Sequence, residues 1–438
     1  MKRWRKCSKR CLKMKIERSI RNDHIARIEG KAGIFVKIGE EISAKINVTE
    51  GPRFFEVITK GRRYDDAVAI CPRICSFCSI PHKLTPIEAV ENALKIEVSE
   101  RVKKLREILY LGNMVESHIL HLLLFAIPDY LGYPDAFSMT KDHPELMKIG
   151  LEIKNFGVFI QELIGSREIH PENAVVGGFG RIPEIKHFYK IGEMAKNILQ
   201  NATAIVEFFT EYEYPSYVNL ARNHLAINPY NGYGVYGEEI KTTDDLTFHV
   251  SLYKEHIKEN VESYSFAKRG EYKGKPFMVG ALSRLVHNNK FINGTAKDLL
   301  SEYKKFLTPE NPFANNFSQA IEIVHFIEKI KEFAEEIKIR KEEIVKPTEK
   351  SGAGCAVTEA PRGLLIYEVE IKDGLIEYMN IITPTAMFLP MMEIDIKNMA
   401  KGLWEEGYKD TDLIGKKVEM VMRAYDPCIS CSVHVIKL

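Results

Sequence analysis

Two short cysteine pairs, Cys75-Ser76-Phe77-Cys78 and Cys428-Ile429-Ser430-Cys431, stand near opposite ends of the chain, so whatever lies between must fold to bring them together. A two-residue spacer lets both sulfurs of a pair turn to the same side, and two such pairs can hold one soft metal. Each pair also trails a histidine, His82 and His434. One C-x-x-C is weak evidence. Two of them with trailing histidines, in an otherwise cysteine-poor chain, point to a metal centre. The remaining cysteines, Cys7, Cys11, Cys71 and Cys355, are too few and too unevenly spaced for the disulfide framework of a secreted protein, and a reducing cytoplasm fits better.

With 438 residues, 45% of them hydrophobic and 28% charged, the chain reads as a soluble globular protein able to bury a large core. The longest apolar run, 119–127, is broken by His121 and falls well short of the about 20 residues that a membrane-spanning helix needs. No membrane span is expected. Residues 1–13 carry seven Lys or Arg and no acid, without the apolar stretch of a signal peptide. They read as a solvated basic tail, 1–14, with Met14 as an alternative start and no nucleic-acid partner assigned; the rest of the chain is mildly acidic.

Alternation at 33–38 and 42–48 predicts two strands turning at Gly39. Thr85-Pro86-Ile87-Glu88 has a capping-box pattern with proline at the first helical position, which predicts a helix starting just after the first cysteine pair and His82. Helical periodicity runs through 97–126, 144–165, 186–212 and 315–345. A loop is expected at 351–354, then a hairpin of 363–371 and 375–382 around Asp373-Gly374. A helix at 394–402 and an apolar strand at 417–422 lead into the second cysteine pair. The expected fold is mainly α (α+β), a long-helix bundle core with small β-sheets at the periphery, forming a single domain over 15–434.

As chemistry alone, four cysteines in two pairs fit a closed tetrahedral zinc, and a non-catalytic zinc-stapled scaffold in a redox complex is the bland reading. Arg73 stands two residues before Cys75, however, and Asp426 two before Cys428. Charged groups beside thiolate ligands suit proton handling at an open coordination site, which a structural zinc does not need.

Arg73 to His82 and Asp426 to His434 resemble the two signature motifs of the large subunit of nickel–iron hydrogenases. Arg27-Ile28-Glu29-Gly30, the stretch 165–178 with His170-Pro171 and Gly177-Gly178, and Glu359-Ala360-Pro361-Arg362-Gly363 resemble three further motifs in the family's order. The resemblance covers nearly the whole chain. It implies nickel on all four cysteines, Cys75 and Cys428 as terminal ligands, and Cys78 and Cys431 bridging to an iron that carries carbon monoxide and cyanide. The implied reaction is heterolytic cleavage of dihydrogen, with Cys428 or Arg362 as the first base and Glu29 relaying protons outward. Ala360, Pro361, His82 and Asp426 are implied to surround the centre, and Glu56 with His434 to hold magnesium or a similar ion such as iron near the C-terminus. His118 and His121 read as outer contacts or packing residues, His170 as a turn residue, and Cys71 and Cys355 as small buried residues.

The sequence departs from the family pattern at several points. Ser76 stands where glycine is usual, a variant that resembles the cytosolic, NAD(P)-linked sulfhydrogenase branch; Met387 and Phe388 replace an expected glutamine and asparagine; Ser117 replaces an acid. Residues 435–438 resemble a short form of the tail that a maturation protease removes. The four spare cysteines lack iron–sulfur cluster spacing and no Gly-x-Gly-x-x-Gly opens a helix. Electrons must therefore leave through partners: an iron–sulfur small subunit, then flavin/NAD(P) and ferredoxin-like subunits, with a deazaflavin coenzyme or ferredoxin as the alternative acceptor.

Overall fold

The computed structural model describes residues 18–338, 340 and 342–433, so the basic tail, Cys7, Cys11, His434 and residues 435–438 lie outside the described residues. Four long amphipathic helices close a ring: Glu100–Leu120 packs on Pro144–Gly165 and Ala314–Glu336, and Ile185–Thr210 contacts both of these. The apolar period locates them all. The last stops at Glu336 rather than 345 because Ile337 turns extended where the Lys/Glu-rich sequence has no apolar face left to bury. Glu100–Leu120 continues through a π-helical turn, His121–Ala126, into Ile127–Leu131, whose Pro128 has no N–H to give. By length and composition this continuous stretch could cross a membrane, but 83% of its apolar window is buried inside the fold, the behaviour of a bundle helix.

Small sheets surround the bundle. Arg18–Asn22, Ala32–Ile38 and Ser43–Val48 form an antiparallel sheet, one strand more than the sequence reading found. A second antiparallel sheet runs in the order Leu375–Ile382, Gly363–Lys372, Gly352–Ala360, Tyr236–Gly237. Its first turn is Asp373-Gly374, with φ of 51° and 80°, the two left-handed residues of a tight hairpin.

Three local expectations fail for identifiable reasons. The first metal-loop helix is Pro81–Leu94, five residues earlier than the capping box implies, because Pro81 already occupies the first turn and the Thr85 hydroxyl bonds Thr358 Oγ1 at 2.6 Å instead of capping. The stretch at 351–354 is not a loop. Gly352 and Gly354 begin a strand whose backbone lies against that helix; a Cβ on Gly354 would sit 2.2 Å from the Ala89 carbonyl oxygen. Finally, 417–422 is helical, inside Thr411–Ala424, since Ile414, Val418, Val421 and Met422 form one buried helical stripe that a short window mistakes for alternation. The helix expected at 394–402 is the end of the longer Pro384–Glu405.

Glu88 lies on the Pro81–Leu94 helix with its Oε2 buried and without a partner among the described residues. Burial, opposed by Arg106 and reinforced by Glu91 and Glu238, pushes its carboxyl up to about 8. A folded value above the unfolded carboxyl's about 4.3 means a contribution fully present below that pH and lost as pH rises through 8. Glu88→Gln is therefore expected to raise the thermal midpoint at pH 8.5 by roughly 2 °C, with a much smaller gain at pH 5. Melting curves at both pH values check this; an equal gain at both would show that the carboxyl is not held protonated.

Buried side chains gather in two cores, one within the helix ring and one beneath the sheets. The second cysteine pair lies across their seam, with Cys428 and Cys431 in the first core and Ile429 and Val433 in the second.

Candidate metal centre

Chain ends brought together across a seam need backbone ties, and polar side chains supply them. Ile429 N–H donates to the Glu29 carbonyl at 3.0 Å, joining the N-terminal segment to the second pair. Arg53 donates to the carbonyls of Ile74 and Ser430, the latter at 2.7 Å, stapling the two cysteine loops to each other. Asn113 holds the Phe77 carbonyl at 3.0 Å, Thr385 Oγ1 accepts from Cys428 N–H at 2.9 Å, and Thr383 Oγ1 donates to the Cys431 carbonyl at 2.9 Å.

The four sulfurs that result all lie within 4.8 Å of one another and all four residues are buried. Cys75 faces Cys428 and Cys78 faces Cys431, each pair 3.1 Å apart and none disulfide-bonded. Burial raises every thiol here; only Cys75 is brought below the ordinary thiol range, by hydrogen bonds from the other three sulfurs and by the Arg362 guanidinium, while the rest stay high. Charging all four thiols needs cations among them, and a soft, buried, four-thiolate set fits nickel with iron.

Arg362 sits at the hairpin tip, Pro361-Arg362, between Ala360 and Gly363. Its Nε donates to the Asp426 carbonyl at 3.2 Å, Nη2 to Asp426 Oδ1 at 2.8 Å and Nη1 to Ser117 Oγ at 2.6 Å, with the guanidinium 5.5 Å above the Phe77 ring. Burial alone would lower its pKa, but Asp426 and the neighbouring sulfurs raise it, so it stays charged. Asp426, itself left-handed with φ 52°, also accepts from Gln319 Nε2 at 2.9 Å.

Glu29 is not the surface ion-pair residue that its neighbours Arg27 and Lys31 allow. Arg27 turns to Asp129, and the Glu29 carboxylate accepts from the Ser430 backbone N–H at 3.1 Å and from the Ser430 hydroxyl. Burial first, then the charge of Cys75, pushes its carboxyl up to about 7. His82 places Nε2 3.6 Å from Cys431 Sγ and Nδ1 2.7 Å from the Tyr367 hydroxyl; burial pulls it down to about 4, so it is a neutral imidazole. His118 bonds Glu322 and His121 bonds Gln319 and the Arg423 carbonyl. Cys71 is buried, whereas Cys355 is half-exposed. Glu56 stands apart from the sulfurs. Its Oε1 accepts from Lys268 Nζ at 3.0 Å and from Ile381 N–H at 2.9 Å, and Lys268 also reaches Glu259 at 3.0 Å and the Ile381 carbonyl at 3.4 Å.

Sequence reasoning missed Ser430, Arg53, Gln319, Tyr367 and Arg284, which shape the surroundings of the centre. Ser430 had a signal, its place inside the second cysteine pair; the others are remote in sequence and carry none.

The nickel-dependent hydrogenase family matches residues 53–149 and 236–434. Sulfhydrogenase 1 subunit alpha of Pyrococcus furiosus is 45% identical over 95% of this chain and 98% of its own length, and sulfhydrogenase 2 subunit alpha of the same organism is 41% identical over 95% and 99%. In fold, the chain superposes on a crystal structure of an NAD+-reducing [NiFe]-hydrogenase in the H2-reduced state with a TM-score of 0.86, covering 95% of this chain and 99% of that one at 23% identity. With the five motifs, the converged sulfurs and these likenesses together, the chain belongs to the large-subunit family of the nickel-dependent hydrogenases.

Proposed function

We propose that Cys75, Cys78, Cys428 and Cys431 would hold the nickel of this catalytic subunit, and that Cys78 and Cys431 would also hold an iron that carries carbon monoxide and cyanide. The observation that carries this reading is the convergence of four buried sulfurs within 4.8 Å under a charged guanidinium. A structural zinc has no use for a buried carboxylate such as Asp426 beside its thiolates, since each buried charge costs solvation. When bound, the centre supplies reversible heterolytic cleavage of dihydrogen.

The protein's own groups divide the proton work. All three nitrogens of Arg362 donate to fixed acceptors, so it acts as a positive charge near the sulfurs rather than as the base. Cys428 is the remaining first acceptor. Its sulfur lies 3.9 Å from Ser430 Oγ, which donates to Glu29, giving a route from thiol to hydroxyl to carboxylate. His82 sets Nε2 3.6 Å from Cys431 Sγ and Nδ1 2.7 Å from the Tyr367 hydroxyl, and the buried tip of Ala360 and Pro361 carries Arg362.

Electrons pass to an iron–sulfur small subunit and on to flavin/NAD(P) subunits, in keeping with relatives that are alpha subunits of sulfhydrogenases; a deazaflavin coenzyme or ferredoxin is the alternative acceptor. The subunit works in the cytoplasm. A magnesium or iron ion near the C-terminus would draw on Glu56 and His434. The oxygens of Glu56, Glu259 and the Ile381 carbonyl are the hard donors such an ion takes, and the Lys268 ammonium stands between them in the structure.

Metal analysis of the purified complex, with infrared spectra in the region of iron-bound carbon monoxide and cyanide, tests the reading. Nickel and iron with both kinds of band are expected. Zinc without those bands in mature protein would leave the zinc-stapled scaffold instead.

A further inference from the structure

A fully buried arginine lies behind the hairpin tip and takes no part in the chemistry described so far. Arg284, on the helix Ala281–Asn288, is 1% exposed. All five of its N–H groups are used. Nε and Nη2 form a fork onto Glu322 at 2.6 and 2.7 Å, Nη1 reaches Glu359 Oε2 at 3.0 Å and the Ala360 carbonyl at 3.0 Å, and Nη2 reaches the Pro361 carbonyl at 3.2 Å. The two carbonyls are consecutive and immediately precede Arg362. The anchors on the far side are themselves held: Glu322 accepts from the Tyr233 hydroxyl and bonds His118, and Glu359 accepts from Ile227 N–H at 2.8 Å.

We propose that Arg284 is a positioning residue, a planar clamp that fixes the Ala360–Pro361 backbone and thereby sets where Arg362 points over the four sulfurs. This rests on the nickel–iron reading above. A hydrophobic replacement would avoid the cost of burying a cation and two carboxylates, and the fold instead keeps a complete donor–acceptor set at this one tip. The geometry is specific to guanidinium. Lysine offers a point charge with three donors on a flexible stem and cannot hold a carboxylate fork and two carbonyls in one plane. Released by a fraction of an ångström, the tip would move the Arg362 charge relative to the sulfurs and to any group they hold.

The test uses the complete enzyme complex carrying Arg284→Lys, with Tyr233→Phe as a control that removes one outer bond to Glu322 while leaving its fork on Arg284 and both carbonyl bonds intact. Nickel and iron content near wild type, cyanide bands displaced or broadened beyond the wild-type linewidth, and turnover lowered about 10²-fold at unchanged KM for dihydrogen are expected for Arg284→Lys. The control should keep wild-type bands. If Arg284→Lys does not assemble, Glu359→Gln, which weakens only the hold on Nη1, should displace the bands in the same direction and by less. Wild-type bands in the metal-loaded fraction of whichever variant assembles would overturn the proposal. A wild-type complex with zinc and no such bands would instead overturn the nickel–iron reading on which it rests.

Discussion

Glu29→Gln is expected to lower hydrogen-oxidising turnover by about 10²–10⁴-fold, the usual worth of a positioned proton-transfer group, with nickel and iron still bound. Glutamine is close in shape to glutamate, and its amide oxygen can keep the bond from Ser430 N–H that the carboxylate now accepts at 3.1 Å. The tie between Ile429 N–H and the Glu29 carbonyl involves only backbone, so the second cysteine loop stays in place. What glutamine cannot do is take a proton from Ser430 Oγ and hand it on. Assay with an artificial electron acceptor, alongside metal analysis, checks this. Loss of turnover with loss of metal would make Glu29 a scaffold residue. Wild-type turnover would move the exit route to the other hydrogen-bonded side of the centre, where Asp426, Gln319 and His121 line up.

The contrast between Glu29 and its neighbours shows what the sequence made legible. Helix positions followed from apolar spacing, because four long helices each bury a stripe against one another and stripe periodicity is local information. The metal ligands followed from two-residue spacing, also local. Failures came where a distant contact overrode a local preference: Thr85 gave its hydroxyl to Thr358 and not to a helix end, and Gly352 to Gly354 became strand because a helix backbone lies against them. Ion pairing showed the same limit. Arg27 lies two positions from Glu29 and is free by sequence to pair with it, yet Asp129, about a hundred positions away in the chain, takes Arg27 and leaves Glu29 to Ser430. The clamp on the hairpin tip was invisible for this reason, since Arg284, Glu322 and Glu359 have no spacing signature.

Arg362→Lys is expected to lower turnover by about 10²–10³-fold, the scale of losing one preorganised donor at a reacting centre, while KM for dihydrogen stays near wild type because the substrate carries no charge for the guanidinium to hold. Lysine keeps the positive sign. It cannot keep the three bonds to the Asp426 carbonyl, the Asp426 carboxylate and the Ser117 hydroxyl, which fix the guanidinium above Phe77 and the sulfurs. Asp426→Asn separates charge from placement. It removes the carboxylate partner at 2.8 Å but leaves the carbonyl and Ser117 contacts, so the fork stays roughly aimed and a smaller loss than in Arg362→Lys is expected. Steady-state kinetics at fixed metal content order the two variants. Wild-type turnover in Arg362→Lys would mean that charge alone suffices and that placement of the tip is dispensable; a larger loss in Asp426→Asn would mean that the carboxylate itself, and not the guanidinium it holds, is the working group at this side of the centre.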